Sequence, residues 1–213
     1  MGKRWRIHPH DADKIAFLER SAGVSPVVAQ LLICRGVSAP SDVRSFLDAK
    51  LSSLREPDLL PGLSEAADRV HAAVQQHRKI VIYGDYDADG ITAALQLTRF
   101  FRRRGVEPIV YLPDRVTDGY GLKRQSIDQL AEKGVTLLIT VDTGISAHAE
   151  ITHAAGKGID VIVTDHHRPQ GGRPGAFAVI HPQVPPGFPN HDLSGSGVAF
   201  TLVRALELSL IHI

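Results

Sequence analysis

The chain has 213 residues, of which 43% are hydrophobic and 22% are charged. This composition supports a buried core and excludes an extensively disordered chain. The formal net charge at pH 7 is only +1, so any contact with a nucleic acid must come from local basic patches rather than from a global positive field.

Two features of the sequence concern its compartment. The single cysteine, Cys34, excludes an internal disulfide, and it lies in an apolar helical run where we expect a buried structural thiol. The N-terminal segment MGKRWRIHPHDADK has no apolar stretch of signal-peptide length. No later segment approaches the roughly 18 uninterrupted apolar residues of a membrane span. We therefore expect a reduced, cytoplasmic protein that does not enter a membrane.

Residues 1–78 are predicted to form a helical N-terminal region. Apolar residues recur at helical spacing in the run VVAQLLICRG, which ends in a glycine stop, and again in the run EAADRVHAAV. This part of the chain shows little of the pattern that is typical of strands.

From Lys79 the pattern changes to short β-branched runs, each followed by a helical segment. The first three runs begin about 30 residues apart, the length of a βαβ unit, and they are apolar at successive positions, which is typical of parallel strands buried on both faces. Residues 79–208 are therefore predicted to form an α/β domain with a parallel, doubly wound sheet, followed by an atypical tail at 209–213. The five runs are KIVIYGD, EPIVYLPD, TLLITVD, DVIVTDHH and AFAVIHP.

Four of these runs end in an aspartate: Asp85, Asp114, Asp142 and Asp165. The carboxyl ends of parallel strands lie along one edge of a sheet, where ligand crevices form at topological switch points. We therefore expect acidic side chains that are distant in sequence to converge at this edge.

The first of these aspartates opens the stretch DYDADGITAALQ, which has three alternative interpretations. A calcium-binding EF-hand loop needs a glutamate at its twelfth position, but that position, counted from Asp85, is Gln96. A phosphatase of the haloacid-dehalogenase type has threonine or valine where this chain has Ile91, and it is the second choice. A site for Mg²⁺ or Mn²⁺ fits best, because carboxylates at alternate positions past a strand can surround these ions.

An isolated D-x-D is usually only a solvated acidic turn, but the other strand ends strengthen the metal interpretation. The segment VDTGI supplies Asp142, and the segment TDHHRP supplies Asp165, His166 and His167. Imidazole beside carboxylates suits Mn²⁺ better than Mg²⁺ alone. Two metals that share a carboxylate can activate water for a displacement at phosphorus.

In these motifs and in their order, the chain resembles the DHH phosphoesterase family, and within it the exonucleases specific for single-stranded DNA. The resemblance covers about residues 20–208 and includes the helical segments that precede the sheet. The ordered motifs are GDYDADGITA, PDRVTDGYGL, VDTGI, DHH followed by HPQ, and LSGSGVAFTLVRAL.

The resemblance implies a ligand set for two Mn²⁺ or Mg²⁺ ions. The implied ligands are Asp87, Asp89, Asp142 and His166, with Asp142 as the bridge. Asp85 is implied as a further ligand or as a contact of one.

The resemblance also implies the chemistry of the two residues that flank His166. His167 would face the scissile phosphate and stabilise charge or assist proton transfer, while Asp165 would orient its neighbours. Pyrophosphatase-like relatives have a histidine where this chain has Tyr83, which favours the nuclease branch. The implied activity is degradation of single-stranded DNA from the 5′ end, in DNA repair and recombination, and the polarity comes from the resemblance alone.

Two further motifs are candidate substrate contacts. In the segment Asp118–Leu122, Tyr120 is available to stack on a base, although an ordinary tight turn is an equal alternative. The SGSG segment could offer backbone N–H groups and a helix N-terminus to a phosphate. It comprises Ser194, Gly195, Ser196 and Gly197.

Members of the family continue into a G-T-x-A-D segment whose aspartate is a further metal ligand, and this chain reaches Ile213 first. We therefore expect an N-terminal fragment that has weak exonuclease activity or none. Two alternatives stay open. One is a DHH phosphodiesterase for short oligonucleotides or cyclic dinucleotides, and the other is an inactive fragment that binds metal or nucleic acid.

Overall fold

The computed structural model describes residues 10–116, 119–184 and 188–211. Residues up to Arg55 form one compact unit, and residues from Glu56 form a second. The first strand begins at Lys79, so residues 56–78 precede the sheet in sequence but belong to its compact unit. The domain boundary at residue 78 stays a prediction.

The helices of the first unit begin at residues that suit a helix N-terminus. The carboxylate of Asp11 and the hydroxyl of Ser25 each accept a backbone N–H at the start of the first and second helices. Pro26 and Pro40 occupy the first turns of the second and third helices. The three helices are α1 Ala12–Ala22, α2 Pro26–Cys34 and α3 Pro40–Leu47. Their buried residues form a separate core of Ile15, Leu18, Ala29, Leu32 and Val43.

The expectation that Cys34 is buried is wrong. This residue is exposed at the end of α2. The run that contains it is apolar on all sides, so its hydrophobicity does not identify the face of α2 that packs on the core.

In the part of the chain that the structure describes, no single helix is long and apolar enough to cross a membrane. Within the described ranges, one pair of helices, α1 and α2, meets the criteria of length and composition when taken together, and the two are bent by 113° relative to each other.

The second unit is built on a sheet of five parallel strands. The strands are β1 Lys79–Gly84, β2 Ile109–Tyr111, β3 Val135–Val141, β4 Asp160–Thr164 and β5 Ala178–Ile180. Their order in the sheet is β2-β1-β3-β4-β5, and each neighbouring pair is parallel.

Helices cover both faces of this sheet. They are α4 Leu63–Gln75, α5 Ala88–Arg102, α6 Arg124–Glu132, α7 His148–Gly156 and α8 Gly195–Ile211. Ile80 and Ile82 of β1 pack in a core with α4, α5 and α8, whereas Val81 and Tyr83 pack in a second core with α6 and α7. Burial of both faces explains why apolar residues occupy successive positions in each strand. The predicted doubly wound α/β fold is confirmed.

The strand order places a crevice between β1 and β3. The chain leaves β1 towards β2 through α5 on one face of the sheet, and it leaves β3 towards β4 through α7 on the opposite face. The loops that follow β1 and β3 therefore diverge. This is the switch point at which doubly wound sheets of this order bind their ligands.

We expect Arg69→Ala to destabilise the sheet unit. The Arg69 guanidinium donates to the Asp160 carboxylate at 2.6 Å and to the carbonyl of Thr136 at 3.3 Å, so it joins α4 to two strands. Its side chain is only 17% exposed. The free energy of unfolding, measured by urea denaturation, should fall by about 1–3 kcal/mol. Arg102→Ala is the control, since Arg102 and Glu107 form an exposed pair, and it should cause no measurable change. Equal effects of the two substitutions would contradict this account.

Candidate metal centre

Acidic side chains directly follow three neighbouring strands. Asp85 comes after the last residue of β1, Asp142 after that of β3 and Asp165 after that of β4. Asp114, which was expected to join them, lies beyond the end of β2, and its carboxylate accepts the N–H of Val116 at 2.8 Å. The acidic edge of the sheet is therefore built from β1, β3 and β4.

Two groups of side chains offer ligand atoms that lie within 4.8 Å of one another. The first group is Asp85, Asp87 and Asp142, and the second is Asp142, His166 and His167. Asp142 belongs to both groups, which is the arrangement that a bridging ligand requires. The structure thus brings together four of the five predicted metal ligands.

The carboxylate of Asp142 is buried without a hydrogen-bond partner for one of its oxygens. Its side chain is 1% exposed, and Oδ1 lies 3.1 Å from Nε2 of His166 without the geometry of a hydrogen bond. Burial, and then the charge of Asp89, raise the pKa of Asp142 to about 7. Burial, and to a lesser degree the charge of Asp87, also raise the pKa of Asp85. A bound cation would satisfy the orphaned oxygen and stabilise both charges, so these donors fit a hard divalent ion.

Asp89, the fifth predicted ligand, contacts a helix N-terminus. Its Oδ2 accepts the N–H of Gly195 and its Oδ1 accepts the N–H of Ser196, both at 2.8 Å. Oδ2 of Asp89 lies 3.6 Å from Nε2 of His166. Asp89 therefore neighbours the second ligand group without being one of its members. The first N–H groups of α8, which were predicted to hold a phosphate, are bonded to Asp89 here. Their phosphate contact stays a prediction.

Two glycines allow the helices to approach the acidic side chains. A Cβ on Gly90 would lie 2.6 Å from the carbonyl oxygen of Asp85, and a Cβ on Gly195 would lie 2.6 Å from Cβ and Cγ of Asp142. Any other residue would displace the aspartate or the helix. Asp142 itself has φ of 60°, an uncommon conformation for a non-glycine residue and one that is characteristic of functional sites.

Asp165 holds the two histidines in place. Its Oδ1 accepts the backbone N–H groups of His166 and His167 at 2.7 and 3.1 Å, and lies 2.8 Å from Nδ1 of His167. Its Oδ2 accepts the N–H of Ile145. Burial opposes the charge of Asp165, but these hydrogen bonds outweigh burial and lower its pKa. The hydrogen bond to Asp165 raises the pKa of His167 to about 9 despite partial burial. His167 belongs to the second ligand group, and in the absence of metal Asp165 stabilises its protonated form.

His181 contributes to the site and is absent from the predicted site residues. It directly follows β5, is fully buried, and its Nε2 donates to the carbonyl of His167 at 2.8 Å. Its Nδ1 accepts the N–H of Gln183, so the neutral tautomer is fixed, and burial lowers its pKa. The rule that functional residues follow parallel strands applies to this strand too and could have identified it.

Tyr120 lies beside His167 on a turn with two glycines. Gly119 and Gly121 have φ of 70° and 83°, which glycine adopts without strain. The hydroxyl of Tyr83, the residue that departs from the pyrophosphatase pattern, donates to the carbonyl of Gly121 at 3.2 Å. The Tyr120 hydroxyl lies 3.5 Å from Nδ1 of His167. Asp118, the first residue of the predicted segment, lies outside the described residues.

Comparison with protein families identifies the domain. The DHH family, N-terminal domain, matches residues 79–211. The chain belongs to the DHH family. Similar proteins include the single-stranded-DNA-specific exonuclease RecJ of Bacillus subtilis, which is 41% identical over 204 residues, and that of Escherichia coli, which is 36% identical over 212 residues. These alignments cover 95% and 99% of this chain but only 26% and 36% of the two relatives. The chain thus spans about a quarter to a third of their length.

Solved structures agree with this family membership. The structure of RecJ from Thermus thermophilus in complex with Mn²⁺ has a TM-score of 0.75 and 32% identity, and it covers 97% of this chain and 29% of that chain. The structure of an exonuclease RecJ bound to manganese has a TM-score of 0.64 and 39% identity, and it covers 71% of this chain and 38% of that chain. The same Thermus protein has also been solved with Mg²⁺, with a TM-score of 0.58 and 28% identity, covering 97% of this chain and 25% of that chain.

We expect Gly195→Ala to weaken metal binding by the DHH domain. The new methyl group would overlap the Asp142 side chain and displace it from the two ligand groups. Mn²⁺ affinity, measured by isothermal titration calorimetry, should fall by about 10- to 100-fold. Gly197→Ala is the matched control on the same turn, because its Cβ would meet only Leu193 and Ser194 side chains at 3.2 Å or more. A similar affinity for the two variants would contradict the assignment.

The contact of Asp89 with α8 predicts a separate effect on stability. In Asp89→Asn, one of the two backbone N–H groups would face an amide NH₂ instead of an oxygen, so the free energy of unfolding in metal-free buffer should fall by about 1–3 kcal/mol. Asp192→Asn is the control, because it removes an exposed charge near the same helix N-terminus. If both variants lose the same stability, the effect comes from charge and not from the two hydrogen bonds.

Proposed function

We propose that the chain is the metal-binding part of an exonuclease that hydrolyses phosphodiester bonds of single-stranded DNA from the 5′ end, in the cytoplasm, in DNA repair and recombination. The observation that carries the proposal is the position of Asp142, whose side chain belongs to two adjacent ligand groups and whose Oδ1 is buried without a hydrogen-bond partner. The relatives named single-stranded-DNA-specific exonucleases support the choice of substrate.

Mn²⁺ or Mg²⁺, and most simply two ions, are the proposed cofactors. Asp85, Asp87 and Asp142 would hold one ion, and Asp142 with His166 would hold the other, with Asp89 at the border of the second site. This choice is supported by the donor set of carboxylates and imidazole, and by the RecJ structures that contain Mn²⁺ or Mg²⁺. When bound, such ions neutralise charge on a phosphate and lower the pKa of water.

The protein's own residues would orient the phosphodiester and manage its charge. Nδ1 of His167 lies 2.8 Å from Oδ1 of Asp165, so in the protonated form of His167 Nε2 would be left to donate to a phosphate oxygen or to the leaving oxygen. Asp165 cannot serve as the base in this arrangement, because its oxygens already accept four hydrogen bonds. We therefore assign His167 to the reaction and Asp165 to the positioning of His167.

Asp142→Asn should separate metal binding from folding. The substitution keeps the shape of the side chain and removes the shared charge, so Mn²⁺ binding and metal-dependent cleavage of a 3′-labelled single-stranded oligonucleotide should fall more than about 100-fold. In metal-free buffer, the variant should unfold at an equal or higher temperature, because a buried, repelled carboxylate has been removed.

Asp128→Asn is the control for this experiment. Asp128 is an exposed carboxylate on α6 that pairs with Lys157 and His153 away from the sheet edge, and its replacement should leave Mn²⁺ binding unchanged. Unchanged Mn²⁺ stoichiometry in Asp142→Asn would overturn the proposed metal centre. Metal binding without cleavage of long or short oligonucleotides would retain the metal centre and reject the nuclease reaction for this chain.

A further inference from the structure

A groove between α5 and α8 begins beside the metal centre and follows both helices away from it. Ser196 donates its backbone N–H to Asp89, and its Oγ lies 3.2 Å from the hydroxyl of Thr92 and accepts the amide of Gln96 at 2.6 Å. Beyond Ser196 the groove widens into a cavity of about 270 Å³. The residues that line this cavity include Gln96, Arg99, Phe100, Arg103, Phe200 and Val203. We call this surface the α5–α8 groove.

Two arginines in the wall of the α5–α8 groove have no carboxylate partner. Arg99 and Arg103 are both exposed, and because they are four residues apart on α5 they lie on one face of the helix. Neither forms an ion pair in the ranges that the structure describes. Glu207 also lines the cavity, but Arg104 pairs with its carboxylate at 2.6 Å. The wall therefore has an excess of positive charge that an anionic group can neutralise.

Phe200 adds an aromatic surface to the α5–α8 groove. The residue lies on α8 and is 37% exposed, whereas Phe100 beneath the groove is buried. Phe200 makes no ring contact with the other aromatic residues that the structure describes. Cationic side chains beside an exposed aromatic ring are the combination by which proteins bind single-stranded nucleic acids.

The position of the α5–α8 groove favours a strand that extends from the metal centre. Arg99 and Arg103 follow Asp89 by 10 and 14 residues along the chain, which corresponds to about 15 and 21 Å along α5. At about 3.4 Å per nucleotide in a stacked strand, these distances span about four to six nucleotides. An acidic peptide could meet the same two cations. A polyanion whose phosphate already lies at the metal centre fits better, because the groove continues from that centre.

We propose that the α5–α8 groove binds single-stranded DNA about four to six nucleotides from the phosphate at the metal centre. Arg99 and Arg103 contact phosphates of the strand, and Phe200 stacks on a base. The inference rests on the proposed function and extends it, because it assigns a path to the part of the strand that is distant from the reaction. Contacts with phosphates and stacking on a phenyl ring are tolerant of sequence, so the groove holds the strand without selecting bases.

The first test measures the salt dependence of DNA binding. A 3′-fluorescein-labelled oligothymidylate of about 12 nucleotides is titrated with the full chain in metal-free buffer, and binding is followed by fluorescence anisotropy. The double substitution Arg99→Gln, Arg103→Gln should reduce the slope of log affinity against log salt by about 1.4, because each phosphate contact contributes about 0.7. Between about 50 and 200 mM NaCl, the affinity of the unsubstituted chain should therefore fall about 7-fold more than that of the variant.

The second test separates stacking from charge. Phe200→Leu should lower the affinity by about 5- to 100-fold without changing the slope, since stacking contributes on that scale and involves no counterion. Phe200→Tyr should retain the affinity, because it keeps the ring.

The matched control for the arginines is the double substitution Arg78→Gln, Lys133→Gln. It removes the same charge from two exposed residues that precede β1 and β3 and do not line the groove, and it should leave the slope unchanged. An equal loss of slope in both double variants, or no loss in either, would overturn the groove. Oligoglutamate of equal charge that displaces the labelled strand as effectively as unlabelled DNA would also overturn it, since the groove would then be a site for acidic peptides.

The outcome is separable from that of the proposed exonuclease, because binding is measured without metal. If the slope depends on Arg99 and Arg103 but Mn²⁺-dependent cleavage is absent, the groove stands and the reaction is rejected. If the chain cleaves DNA, the arginine double variant should raise KM for the oligothymidylate and leave kcat and the cleavage of a dinucleotide unchanged, since a dinucleotide is too short to reach the groove. Cleavage with an unchanged KM and an unchanged slope would reject only the groove.

Discussion

A buried carboxylate with an unpaired oxygen is the constraint around which this sheet edge is organised. Asp142 lies between two aspartates that follow β1 and two histidines that follow β4. Such a group is costly to keep ionised, and its pKa of about 7 expresses that cost. A shared divalent cation would remove the cost for Asp142 and for its neighbours together. Without a cation, the carboxylates of this cluster repel one another. We interpret this repulsion as a sign that the cluster is built to bind a metal ion.

The fold keeps this cluster in place by contacts from residues outside the two ligand groups. Glycine at positions 90 and 195 lets two helices approach the aspartates. Asp89 ties the N-terminus of α8 to that of α5, and Asp165 fixes both histidines. The metal centre therefore depends on α8, a helix that is more than 100 residues from β1 in sequence. A cluster of like charges needs this external support, because its members repel one another without a cation.

Much of this arrangement could be predicted from residues alone. Uninterrupted apolar runs followed by aspartate predicted the parallel sheet and its acidic edge, because both features depend on local periodicity. The exposure of Cys34, the turn formed by Asp114 and the bonds from Asp89 to α8 could not be predicted, since each depends on which surfaces meet in three dimensions. The contact of His181 and the α5–α8 groove arise from segments that converge only in the folded chain.

Anomalous diffraction from crystals of the chain grown with Mn²⁺ would test the central claim most directly. Our account predicts manganese peaks on both sides of the Asp142 carboxylate, one shared with Asp85 and Asp87 and the other with His166. Peaks that do not include Asp142 among their ligands, or an Asp142 Oδ1 that hydrogen-bonds to protein in fully loaded crystals, would contradict it.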